Sequence, residues 1–134
     1  MSRREPFGDV EVALVEFGEA SGWGYVVTST PEDLYNRITA GEFVVRVGRQ
    51  GGSDSSNATV DVPRVSVQVF GRREGRVVHD HAAQIRADLL SLSGYVTAAG
   101  RLDSAETESG PTVFPWPDEE VLAVQMIFRL RTRR

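Results

Sequence analysis

Residues 63–92 read PRVSVQVFGRREGRVVHDHAAQIRADLLSL, and they contain the two hydrophobic periodicities that decide the fold. Val65, Val67 and Val69 alternate with polar residues, as in a strand with one face against a core. Further on, apolar residues recur at steps of four and three, the spacing of an amphipathic helix. Those helix positions are Val78, Ala82, Ile85, Leu89 and Leu92. The stretch therefore predicts a half-buried strand, a turn at Gly71 and a helix.

The flanking sequence supplies the other elements of the domain. Asp9 can cap a first helix, and Thr30 can cap a second, short helix that stops at Gly41. Strands are predicted in 42–49, weakly in 95–107 and most clearly in EVLAVQMIFRLRTRR, which ends the chain. That last strand has an unbroken apolar face and belongs near the middle of the sheet. We predict an α+β domain covering 1–134, with a mostly antiparallel mixed sheet and two main helices packed on one face.

Two segments are predicted to lie outside this regular structure. Residues 50–59, QGGSDSSNAT, lack apolar periodicity and are expected to form a flexible, solvated loop, either a mobile hairpin connection or a projecting contact loop. Pro63 falls where the alternation of valines slips, which suggests a bulge or an edge position because proline donates no ladder hydrogen bond. At the other end of the chain, 129–134 is a basic C-terminal end.

Composition restricts the class of protein. The chain has 134 residues, a net charge of −4 and no cysteine, so disulfides and thiolate metal sites are excluded. No apolar run reaches the length of a membrane span, and the N-terminus lacks an apolar signal core, so we expect synthesis in the cytosol and no membrane partner. All 15 basic residues are arginine.

No catalytic, cofactor or metal constellation is predicted. His79 and His81 lie two apart on a helix, about 200° around its axis, and so diverge instead of chelating one ion. The carboxylates in 103–108 and 118–120 are interpreted as solvated, and the glycines match no phosphate-binding pattern. Arg129 and Arg131 project from one strand face, but without exposed aromatic residues between them they are weak evidence for nucleic-acid binding.

Four stretches together resemble the tail terminator proteins of long, non-contractile-tailed bacteriophages, of the type found in actinobacterial phages. They are PFGDVEVALVEF, YVVTSTPEDL, the strand and helix from PRVSVQVFG to HDHAAQIRADLLSL, and the ending TESGPTVFPWPDEEVLAVQMIFRLRTRR. They cover nearly the whole chain and follow the expected order. Such proteins are small α+β proteins that cap the tail tube.

The resemblance implies a structural virion protein without enzymatic activity. It implies a homohexameric ring at the tail–head junction, assembled in the bacterial host cytoplasm, with the major tail tube protein and head-completion or connector proteins as partners. Genomic DNA would pass through the lumen without sequence-specific binding. The first alternative is a head–tail adaptor or another neck or tail joining protein. A nucleic-acid-binding module or a hydrolase is the second alternative.

A ring needs two different surfaces that match each other, and separated patches of opposite charge suit that need. The acidic start of the last strand or the neighbouring FPWP segment is expected to form one contact. The arginine end or the Arg72–Arg73 pair is expected to form the other. The candidate interface residues are Arg72, Arg73, Trp116, Asp118, Glu119, Glu120, Arg129 and Arg131.

Overall fold

A computed structural model describes residues 9–54 and 60–133. In this part of the chain three helices and six strands follow one another. In order they are α1 (Val10–Ala20), β1 (Tyr25–Val27), α2 (Leu34–Thr39), β2 (Val44–Asp54), β3 (Val60–Arg72), α3 (Val77–Leu90), β4 (Tyr95–Thr97), β5 (Gly100–Phe114) and β6 (Val121–Arg133). No helix in the described ranges is long and apolar enough to cross a membrane.

The strands form one sheet in the order β1-β2-β3-β6-β5-β4. Only the β1–β2 pair is parallel, and every other neighbouring pair is antiparallel. The predicted α+β class with a mostly antiparallel mixed sheet is therefore confirmed. The predicted position of the last strand is confirmed too, because β6 lies between β3 and β5.

One face of the sheet, here called the helix face, packs against α1 and α3. Val65, Val67 and Val69 of β3 lie on it, opposite the apolar side of β6. The α3 residues in this core are Val78, Ala82, Ile85 and Leu89, which are all essentially inaccessible to water. Large buried aliphatic side chains each contribute about 1.5–3 kcal/mol, so the periodicity of 63–92 accounts for part of the main core, and α1, β2 and β6 supply much of the rest.

The opposite face, here called the outer face, is not simply solvated. At one end α2 places Leu34 and Ile38 over Phe70, and Val44, Val121 and Ala123 complete a second buried cluster. The expectation that β3 is half-buried is therefore wrong, since both of its faces are covered at that end. The short helix α2 packs opposite the two main helices because its apolar residues meet this patch.

A predicted turn and a predicted helix start are placed differently in the structure. The strand β3 continues through Gly71 to Arg72, and the chain turns at Gly75, which has a φ of 58°. The helix α2 begins at Leu34 after the N-cap Asp33, which makes no side-chain cap hydrogen bond, while the Thr30 hydroxyl accepts a bond from Arg46.

The predicted loop at 50–59 is wrong for its first five residues. Residues 50–54 belong to β2 and pair with β3, from Gly51 opposite Arg64 to Asp54 opposite Asp61. Backbone pairing needs no apolar side chains, which is why glycine and serine did not reveal this strand. Residues 55–59 lie outside the described residues. The register shift is in β2, between Arg49 and Gly51, and Pro63 lies nearby in the interior strand β3, opposite Gly52.

Candidate interaction surfaces

The first candidate surface is the connection 115–120 between β5 and β6, here called the acidic turn. Its backbone is fixed by Arg73, whose amide donates to the Glu120 carbonyl at 2.9 Å and whose Nε donates to the Glu119 carbonyl at 2.9 Å. Arg73 Nη2 also donates to the Val121 carbonyl at 3.3 Å. These bonds reach carbonyl oxygens and leave the exposed carboxylates of Glu119 and Glu120 to face outward.

Trp116 anchors the same turn from the outer face. Its indole ring meets Phe70 edge-on, with centroids 4.9 Å apart and planes at 76°, and it lies 6.3 Å from the Phe114 ring. Edge-to-face contacts of this kind suit the quadrupoles of aromatic rings. Trp116 is half-buried, so part of the ring closes the smaller core and part stays accessible beside the acidic residues.

The electrostatics of the acidic turn extend to α2. The Glu120 carboxylate, with smaller contributions from burial and from Asp118, raises the pKa of the exposed Tyr35 hydroxyl. A negative field disfavours the phenolate, which explains the direction. The turn therefore presents its negative charge to solvent and to α2 together.

Arg72 does not form a separate basic patch with Arg73. In the sheet register Arg72 lies opposite Val121, at the same end as the acidic turn. Its guanidinium lies 3.8 Å from Glu74, and both side chains are exposed. The register therefore places the Arg72–Arg73 pair at the same end of β6 as the acidic turn, away from the arginines at its other end.

The second candidate surface lies at the other end of the outer face. It consists of five arginines on β3, β5 and β6, here called the arginine ladder: Arg64, Arg101, Arg129, Arg131 and Arg133. Two pairs of them stand directly opposite each other on neighbouring strands, Arg64 with Arg129 and Arg101 with Arg133. Like charges directly opposite destabilise a sheet, so each pair needs a counter-charge.

Each pair shares one carboxylate. Glu108 accepts from Arg64 at 2.6 Å and from Arg129 at 3.0 Å. Asp103 accepts from Arg101 at 2.8 Å and from Arg133 at 2.7 Å. The hydrogen bond from Arg64 is the largest cause that lowers the pKa of Glu108, and the charge of Arg129 adds to it.

Arg131 stands between these two groups on β6, opposite Ser104. Its side chain is exposed and makes no hydrogen bond or ion pair with another described residue. The structure thus brings the predicted residues Arg129 and Arg131 into one surface, and it adds Arg64, Arg101, Asp103 and Glu108, which sequence analysis missed. The carboxylates had been interpreted as merely solvated. Only the strand register, with three irregularities along β5, shows what they contact.

His81 and a cleft beside the end of α3 are accounted for by internal contacts. His81 stacks on Phe43 at 3.8 Å, and its Nε2 lies 2.6 Å from the Trp23 carbonyl. Residues 9–54 and 60–133 contain no group of three or more acidic or histidine side chains arranged to hold a metal ion. An open cleft of about 320 Å³ beside the end of α3 includes Asp88, which accepts from Trp23 at 3.0 Å and from Gln84 at 3.0 Å.

Comparison with known proteins gives a likeness at the level of fold. No protein-family profile and no curated protein matches the sequence. Among solved structures, the chain is similar to a chain described as "Virion of native gene transfer agent (GTA) particle". The TM-score is 0.58 at 18% sequence identity, over 88% of this chain and 84% of that chain. The two proteins therefore share a fold along most of their lengths.

Proposed function

We propose that this protein is a structural component of a tailed, phage-like virion. The observation that carries the proposal is the fold likeness to a chain of a gene transfer agent virion, which spans most of both chains. The sequence resemblance to phage tail terminators points to the same class of protein. Fold alone does not imply function, so the charged surfaces supply the second line of support.

Within that class, we infer the role of a tail terminator. A homohexameric ring of this protein would cap the tail tube at the tail–head junction, contacting the major tail tube protein on one side and head-completion or connector proteins on the other. Genomic DNA would pass through the lumen without sequence-specific binding. The role needs no covalent chemistry and no cofactor.

Two separate surfaces on one subunit support this role, because a ring joins one surface of each subunit to a different surface of the next. The acidic turn offers Trp116, Asp118, Glu119 and Glu120, with Arg72 beside them. The arginine ladder offers Arg129 and Arg131 at the far end of β6. Arg73 contributes indirectly, since its hydrogen bonds hold the turn in shape.

The test is deletion of the gene from the phage or particle that encodes it, followed by measurement of tail length by electron microscopy. We expect overlong tubes of variable length that fail to join heads, because nothing stops tube growth. A plasmid copy of the wild-type gene should restore a single tail length, and a tagged copy should be found at the tail–head junction. Tails of normal length that only fail to attach would contradict the terminator role and indicate an adaptor.

A further inference from the structure

We propose that the arginine ladder is the docking site for the acidic turn of a second copy of this chain. Each subunit would insert its acidic turn into the ladder of the next, in a repeated head-to-tail contact. This inference rests on the proposed function, which requires self-assembly, and it names the two surfaces that meet.

Charge complementarity is the first argument. The ladder region carries two more positive than negative groups: Arg64, Arg101, Arg129, Arg131 and Arg133 against Asp103, Glu106 and Glu108. The region of the acidic turn carries two more negative than positive groups: Glu74, Asp118, Glu119 and Glu120 against Arg72 and Arg73. The two excesses are equal and opposite, which favours their contact and disfavours contact between like ends.

The incomplete neutralisation of the ladder is the second argument. Two directly opposed arginine pairs share only one carboxylate each, and Arg131 has no partner among the described residues. A guanidinium carries five N–H donors in a planar fork that matches a carboxylate. Folding alone does not favour such crowding of like charges, whereas incoming carboxylates satisfy the donors that remain.

Preorganisation is the third argument. Arg73 and the Phe70–Trp116 contact fix the backbone of the acidic turn before any partner arrives. On the other surface, Glu108 and Asp103 hold four of the five guanidinium groups in place. Because less side-chain freedom remains to be lost on binding, both surfaces are suited to docking as they stand.

Geometry excludes contact of the two surfaces within one chain. From Val121, where the acidic turn ends, to Arg129 the strand β6 advances about 26 Å at the rise of an extended strand. A turn-to-ladder contact must therefore join two copies, and a heterologous contact of this kind gives a closed ring when the rotation closes.

The experiment is a charge exchange carried out in the deletion phage described above. A turn variant carries Glu119→Arg and Glu120→Arg, and a ladder variant carries Arg129→Glu and Arg131→Glu. We expect each variant alone to restore at least tenfold fewer finished particles than the wild type. Co-expression of both should recover most of the loss, because the reversed turn fits the reversed ladder and the native turn fits the native ladder in an alternating ring.

Controls separate assembly from folding. Arg73 binds the carbonyls of 119 and 120, so the turn variant keeps its scaffold, and its circular dichroism and melting temperature should match those of the wild type. The control Glu19→Arg with Glu32→Arg makes the same change in net charge as the turn variant, at exposed positions elsewhere. It should restore as many finished particles as the wild type does. If the ladder variant unfolds, Arg131→Glu paired with Glu119→Arg repeats the test without disturbing Glu108.

The outcomes are distinct. The inference is supported if each variant alone gives fewer finished particles and the two variants together restore their number. Variants that both restore particles like the wild type overturn it while leaving the terminator role intact. Loss without recovery also overturns it, since the ladder would then bind something else, such as a phosphate backbone or another virion protein. A deletion that leaves tail length normal counts against the proposed function itself.

Discussion

The two faces of the sheet differ in what their side chains do. The helix face is apolar from Val45 in β2 to Leu102 in β5 and is closed by α1 and α3. The outer face is apolar mainly under α2. Beyond Gln68 and Gln125, whose amides bond across the strands at 2.8 Å, only Ile127 of β6 is apolar before the arginine ladder begins. The helix face therefore supplies the larger buried core, while the outer face combines a smaller core with exposed charge.

The largest effect should come from neighbouring residues on opposite faces of β6. Phe128→Ala leaves a cavity in the helix-face core and should lower the free energy of unfolding by about 3–5 kcal/mol. Ile127 lies on the outer face and belongs to neither buried cluster, so we expect Ile127→Ala to cost only the transfer term of about 1.5–3 kcal/mol. Urea denaturation measures the free energy of unfolding of both variants. Equal decreases in the two variants would contradict the contrast between the faces.

A smaller effect is expected from glycines that differ in their surroundings. A Cβ at Gly71 would lie 2.8 Å from Val78 Cγ2 and 2.9 Å from Phe43 Cε1, so Gly71→Ala should overpack the helix face and cost about 1–3 kcal/mol. Gly110→Ala in β5 meets nothing within 4 Å, and its cost should stay within about 0.5 kcal/mol. Thermal unfolding of the two variants measures this difference. A Gly71→Ala protein as stable as the wild type would show that α3 packs loosely.

A third prediction concerns charge on the outer face. The pKa of Glu108 is lowered in the folded protein by the Arg64 hydrogen bond, so its contribution to stability is present above the unfolded pKa and is lost as pH falls through the folded pKa. NMR titration should find this carboxyl ionised at lower pH than an ordinary glutamate. Arg64→Gln should move the midpoint upward, and Glu106→Gln, as a matched control, should leave it lowered. An unchanged midpoint in Arg64→Gln would contradict the shared-carboxylate arrangement.

The smallest effect is expected beside the acidic turn. Glu120→Gln removes the main cause that raises the pKa of Tyr35, so the phenol should ionise at lower pH in this variant. Ultraviolet absorbance of the phenolate follows the titration, and Tyr35→Phe identifies this group among the three tyrosines. No change in the Glu120→Gln titration would place the carboxylate farther from α2 than the structure does.

Apolar periodicity predicted the helix face well. The stripe of α3 and the alternation of β3 and β6 are properties of single segments, so the fold class and the central position of β6 followed from sequence. The strand at 50–54 was missed because its two glycines and its serine pair through the backbone. The position of α2 was missed because Leu34 and Ile38 give no sign of which face they cover.

The candidate surfaces were predicted only in part. The acidic and basic clusters are visible along the chain, and Asp118 to Glu120 and Arg129 to Arg131 were singled out. The shared carboxylates were not, since register places Glu108 between Arg64 and Arg129, residues far apart in sequence. The role of Arg73 was hidden for the same reason, because its acceptors are carbonyl groups 46 to 48 residues away.

The hydrogen bonds from Arg73 to main-chain oxygens have an evolutionary consequence. Every residue type carries the same carbonyl group, so substitutions at 119 and 120 alter the charge displayed without altering the loop that displays it. The charge of this surface and the shape of the loop can therefore change independently of each other. A related protein can therefore change the charge of this surface by point mutation while the loop keeps its shape.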